Sequence, residues 1–138
     1  TLLARVTDAQ LRWLYASATG VVAASYEDFG LTPVEAAAFG TPAAVLRWGG
    51  FLDTTMEGET GVFFERPEPG PIADAVTEVA GRTWDRGVLT AHAARYATPR
   101  FTARLRAVVE EVRSGRSPAV DDGGRRLPQD AQVPPERP

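Results

Sequence analysis

Three short apolar runs constrain this chain most: Gly20-Val21-Val22-Ala23-Ala24, Ala43-Ala44-Val45-Leu46 and Gly61-Val62-Phe63-Phe64. Each is too short for a helix and lacks polar alternation, the pattern of a strand buried on both faces of a parallel sheet. No hairpin turn separates them; helix-forming segments do. Thr7-Asp8-Ala9-Gln10 reads as a capping box, with Val6 and Leu11 as its staple and Leu11, Leu14, Tyr15 and Ala18 as one apolar face. Thr32-Pro33-Val34-Glu35 opens a second helix, with Thr32 as N-cap, Pro33 at the first position and Glu35 at the third, running to Gly40 before Pro42. That helix is nearly all alanine, so it can lie close to a sheet. Phe51 to Met56 predicts a short helix, Ile72, Val76 and Val79 a helix after Pro71, Asp85 to about Ala97 another, and Leu105, Val108, Val109 and Val112 the last. Helix and strand alternate, so the expected class is α/β, a parallel sheet flanked by helices.

The 138 residues suffice for one domain, and 43% hydrophobic with 24% charged is a globular composition. From Ser114 onward Pro, Gly, Asp, Arg and Gln dominate, so the expected division is a folded part over 1–113 and a disordered tail over 114–138. A net charge of -3 gives no general attraction to nucleic acid. No apolar run is long enough to predict a transmembrane helix. The chain has no cysteine, which excludes disulfides and thiolate metal sites. All fifteen basic residues are arginine. The expected location is cytoplasmic, with peripheral attachment at the inner face of the membrane as the alternative. The chain opens on Thr, so it is expected to be a piece of something longer.

An open parallel sheet places ligands outside the carboxyl ends of its strands. The first run feeds directly into Ser25-Tyr26-Glu27-Asp28-Phe29-Gly30, which puts this loop where chemistry is expected. Gly30 lets backbone approach a ligand closely. The following helix turns unpaired N–H groups and its positive dipole end to the same place, which would stabilise a diphosphate. Glu27 would accept hydrogen bonds from sugar hydroxyls, and Glu35 could hold a ribose diol or serve only as a cap.

Glu27-Asp28-Phe29-Gly30-Leu31-Thr32-Pro33-Val34-Glu35-Ala36, then Gly49-Gly50, then Gly58-Glu59-Thr60-Gly61 resemble the donor-binding C-terminal domain of GT-B retaining glycosyltransferases, especially family 4. Members carry two glutamates flanking seven residues, a strand, and a Gly-Gly loop. The resemblance implies the second half of a Rossmann-like domain. It implies a hexosyltransferase that takes a sugar from a nucleotide-diphosphate donor and retains its anomeric configuration, with no metal or other cofactor. By resemblance Glu27, the catalytic candidate, contacts donor sugar hydroxyls. The backbone at Phe29, Gly30 and Leu31 faces sugar and diphosphate, Glu35 binds the ribose, and Gly49 and Gly50 form a second wall. From the residues alone, Gly49-Gly50 reads equally well as a strand-to-helix turn.

Two residues depart from the pattern: Asp28 replaces a usual glycine, and Asp53 a usual glutamate. Glu-Asp-Phe-Gly resembles mannosyltransferase-like members and points to GDP-mannose as donor. The resemblance also implies partners this chain lacks: a glycosyl acceptor, an acceptor-binding N-terminal domain, and the Arg/Lys pair that neutralises the diphosphate. The fragment is accordingly expected to be inactive alone. The rival reading is a non-catalytic module, nucleotide-binding-like or protein-binding, on the same fold. His92 reads as structural or solvent-facing, Trp13 and Trp84 as packing residues, and Trp48 as a pocket-lining residue. Arg104 and Arg106 read as a solvated face paired with Glu110 and Glu111.

Overall fold

The computed structural model describes residues 3–115. The chain divides into two units after Ala97. The first holds α1 (Asp8–Ser17), β1 (Val21–Ala23), α2 (Leu31–Ala37), β2 (Ala43–Leu46), α3 (Phe51–Thr54), β3 (Gly61–Phe64), α4 (Pro69–Gly81) and α5 (Arg86–Ala94). The second holds α6 (Thr98–Arg113), which buries none of its own residues. Most of the expected tail, 116–138, lies outside the described residues; Ser114 and Gly115 close α6 through bonds to Glu110 and Val112 carbonyls.

The three expected strands form one parallel sheet in the order β1-β2-β3. The register pairs Val21 with Ala43 and Ala43 with Gly61. The α/β class with a parallel sheet flanked by helices is therefore what the chain adopts. All four residues of the central β2 are buried, because helices cover both of its faces. At the edge, β1 leaves Val22 half-exposed. The core joins β2 and β3 to Phe51, Ala75 and Val79. A smaller cluster joins Val34 and Ala37 of α2 to Leu89 and Ala93 of α5. Alanines at positions 36 and 37 carry no bulk, which lets α2 sit tightly against its neighbours.

The Thr7–Gln10 capping box forms as expected: Thr7 N–H donates to Gln10 Oε1 at 2.8 Å, and Gln10 N–H to Thr7 Oγ1 at 3.3 Å. The caps of α2 do not. Its N-cap is Gly30, in the left-handed region (φ 65°, ψ 44°), and no side chain caps it. The helix therefore starts two residues early, at Leu31, with Pro33 inside the first turn, where its missing N–H costs no helical bond. Thr32 is not the cap, and Glu35, at the fifth helical position, lies two residues too deep to serve a capping box. The helix also stops at Ala37 rather than Gly40. The chain then closes through Gly40 N–H to Ala37 O and Thr41 N–H to Ala36 O, with Gly40 at φ 77°. Likewise α5 ends at Ala94, short of Ala97, with Asp85 as its cap accepting from Gly87 and Val88 N–H. Trp13 is not the packing residue expected, being 66% exposed. The helical period sets it off the stripe of Leu14, Tyr15 and Ala18 that is half-buried.

Leu89 is fully buried between α5 and α2. Leu89→Ala should lower unfolding free energy by about 2–5 kcal/mol, whereas Val88→Ala on the exposed side should cost under about 1 kcal/mol. Urea denaturation of the three proteins checks this.

Candidate functional site

Two loops leave the carboxyl ends of neighbouring parallel strands and lock together. One follows β1 through Glu27, Asp28 and Phe29 to Gly30; the other follows β2 through Arg47 and Trp48 to Gly49 and Gly50. Gly50 N–H donates to Glu27 O at 2.8 Å. A Cβ on Gly49 would sit 2.5 Å from Glu27 O, and one on Gly50 would sit 2.5 Å from the carbonyl oxygens of Asp28 and Phe29. A Cβ on Gly30 would come within 2.8 Å of the Gly50 carbonyl carbon and the Phe51 ring. Three of the residues picked out in the sequence thus meet backbone to backbone. Gly49-Gly50 is more than a strand-to-helix turn, because its lack of side chains admits the Glu27 loop.

Glu27 is half-buried, and its Oε1 accepts a long 3.4 Å bond from Phe29 N–H. The Phe29 and Leu31 side chains are 76% and 52% exposed, whereas Gly30 between them is buried against Gly50 and Phe51. The first turn of α2 has no capping side chain, which leaves its N–H groups to be satisfied from outside the helix. Glu35 is exposed, and its Oε2 accepts from the Tyr15 hydroxyl at 3.0 Å. The face is open rather than enclosed. Two concavities lie elsewhere: a groove of about 360 Å³ between the end of β3 and α4, and an apolar niche of about 110 Å³ between β1 and α4.

Trp48 stands edge-on to Tyr26 at 5.2 Å and 90°, so the two loops carry one aromatic lip. Arg47 is the basic residue next to the Gly-Gly loop, and its charge is committed. It contacts Glu57 at 2.7 Å and Glu65 at 2.6 Å and lies over the Phe63 ring at 4.3 Å. His92 is buried; its Nε2 donates to Thr54 O at 2.9 Å and its ring packs on Tyr96. It is a structural link between α5 and α3, not a solvent-facing residue. Trp84 packs as expected, with Nε1–H donating to Val79 O. The departing residue Asp53 gives its backbone carbonyl to the Tyr96 hydroxyl at 2.6 Å.

The sequence reading missed Tyr26, the constraint on Arg47, and the part played by Tyr15. A signal for Tyr15 was present, since a phenol in a packing stripe needs a hydrogen-bond partner.

The sequence profile of the glycosyl transferases group 1 family matches residues 1–83. The chain belongs to that family. Similar curated proteins include the D-inositol 3-phosphate glycosyltransferase of Frankia alni, 33% identical over 113 residues, which is 80% of this chain and 28% of the relative. The protein of that name from Corynebacterium diphtheriae is 40% identical over 67 residues (48% of this chain, 16% of the relative). The one from Thermomonospora curvata is 33% identical over 85 residues (62% and 20%). This chain spans well under a third of the length of each. Within the family match fall both interlocked loops and both motif glutamates. Among the described residues no helix is long and apolar enough to cross a membrane.

Two measurements test the geometry. Gly50→Ala should destabilise the domain by about 1–3 kcal/mol through forced loop separation, while Gly70→Ala, where a Cβ meets nothing within 4 Å, should be neutral or slightly stabilising; thermal melts compare them. The Tyr15 phenol is pushed up to about 12 by burial first and the Glu35 hydrogen bond second. Folding therefore favours the protonated phenol. The stability this confers is complete below the unfolded value near 10 and is lost as pH rises from there to about 12. Tyr15→Phe should flatten that segment of the stability–pH curve, and ultraviolet titration of the wild type should show a phenol ionising late.

Proposed function

We propose that this chain is the second half of the donor-binding domain of a retaining glycosyltransferase, a hexosyltransferase using a nucleotide-diphosphate sugar. The observation that carries the reading is the interlock of the Glu27–Gly30 loop with Gly49-Gly50 at the carboxyl ends of β1 and β2, in a chain of the glycosyl transferases group 1 family. An open α/β sheet binds ligands at that edge.

In this reading Glu27 accepts hydrogen bonds from hydroxyls of the transferred sugar. The backbone at Phe29, Gly30 and Leu31 lines the sugar and diphosphate, and Gly49 and Gly50 form the second wall. The uncapped first turn of α2 offers N–H donors to the leaving diphosphate, so that charge developing as the glycosidic bond breaks is stabilised by fixed dipoles. Glu35 accepts from the ribose diol. The chain supplies little cationic help, since it has no lysine and Arg47 is held by two carboxylates. The diphosphate-neutralising residues, the base contacts and the acceptor-binding domain therefore belong to a longer parent, and this chain alone is inactive. The reaction uses no metal or other cofactor and takes place in the cytoplasm. GDP-mannose is the first donor to test, on the Glu-Asp-Phe-Gly variant. D-inositol 3-phosphate is the first acceptor, because the similar proteins are named for it.

The committed charge of Arg47 favours a second reading, a non-catalytic module on this fold, for the isolated chain. Mutagenesis of the full-length protein separates the two. Glu27→Ala should depress turnover more than donor affinity, because sugar contacts tighten as the ring becomes oxocarbenium-like. Glu35→Ala should mainly weaken donor binding, by about 1–3 kcal/mol. Steady-state kinetics with equilibrium binding checks both, and absence of any transfer by the wild-type full-length protein from a panel of nucleotide sugars would sink the enzyme reading.

A further inference from the structure

We propose that Tyr15 is a positioning residue for the donor site: its hydroxyl fixes the carboxylate of Glu35 in the orientation that accepts the ribose diol. The inference rests on the reading of Glu35 as the ribose ligand and adds the element that holds it.

An exposed glutamate on a helix samples several rotamers, while accepting two hydroxyls of one diol demands a single carboxylate plane. Neither the capping box nor any other described residue restrains Glu35; its one side-chain partner is the Tyr15 hydroxyl, 3.0 Å from Oε2. Tyr15 is itself well held. Its ring stacks on Phe39 at 5.9 Å and 24°, and its backbone carbonyl accepts from the Thr41 hydroxyl at 2.6 Å. Phe39 and Thr41 lie in the turn that ends α2, so the post that aims Glu35 is anchored to the helix that carries Glu35. A phenol donates one hydrogen bond only. Oε2 therefore keeps one lone pair and Oε1 both, enough to receive two ribose hydroxyls. The phenol stays protonated throughout the neutral range, so it remains a donor to Glu35.

A bond whose only task is to tie α1 to α2 would affect stability and not ligand discrimination. The test uses the full-length transferase and isothermal calorimetry with four probes: UDP, GDP and their 2′,3′-dideoxy forms. Tyr15→Phe should weaken whichever ribonucleotide binds roughly three- to tenfold and leave its dideoxy form unchanged. In a Glu35→Ala background, Tyr15→Phe should add no further ribose loss. Asp85→Ala, which uncaps α5 without touching Tyr15 or Glu35, should lower the melting temperature and keep the preference for ribose.

If Tyr15→Phe weakens ribo and dideoxy forms equally, or Asp85→Ala mimics it, Tyr15 is a structural tie and the inference is overturned while the ribose role of Glu35 stands. If Glu35→Ala itself fails to discriminate ribose from dideoxyribose, or wild type binds neither nucleotide, the underlying reading falls and the inference with it.

Discussion

The structure hangs on close backbone contact between two loops. Parallel strands β1 and β2 deliver those loops side by side, but side chains would normally keep them apart. Glycine at 30, 49 and 50 removes that barrier, and one hydrogen bond, Gly50 N–H to Glu27 O, closes the gap. The left-handed turn at Gly30 then sets where α2 begins, and so where Glu35 lies. A carbonyl and an N–H that would otherwise need solvent at a crowded sheet edge satisfy each other. The site is thus built first from main chain, with side chains hung on a scaffold that tolerates no Cβ.

Around that scaffold, polar cross-ties hold elements whose apolar contacts are small. The alanine-rich α2 gains little from area alone, since alanine buries few carbons. It is pinned by Leu89 and Ala93 on one element and by Tyr15 on another. Arg47 plays a similar part at the end of β2, joining Glu57 before β3 to Glu65 after it. Both carboxylates are exposed, so the gain in free energy is modest. Its chemical consequence is larger, because a guanidinium beside the site is withdrawn from phosphate binding.

Much of this was legible in the chain itself. The strand runs Ala43–Leu46 and Gly61–Phe64 are found as read, because a strand covered on its faces by helices leaves an unbroken apolar signature. The Thr7 box also forms as read, since all of its bonds lie within four residues. Thr32, Pro33 and Glu35 match the same local rule and yet do not obey it. There the rule was overruled by Gly30, whose conformation answers to Gly50 in the loop after β2 rather than to its own neighbours. Trp13 was misread for a similar reason: periodicity places a residue on a helix but does not say which neighbouring element covers it.

Sequence by itself determined the class of fold, the order of elements and the loops that carry the motif glutamates, because apolar runs, glycines and chain order are local properties. Only the tertiary structure decided that Glu35 faces Tyr15 instead of its own helix end, that Arg47 is neutralised, that His92 is buried on the Thr54 carbonyl, and that Gly49-Gly50 is half of an interlock. Each of those pairings joins residues from different elements. Their partners are fixed by how the sheet and helices pack, a quantity no window along the chain contains.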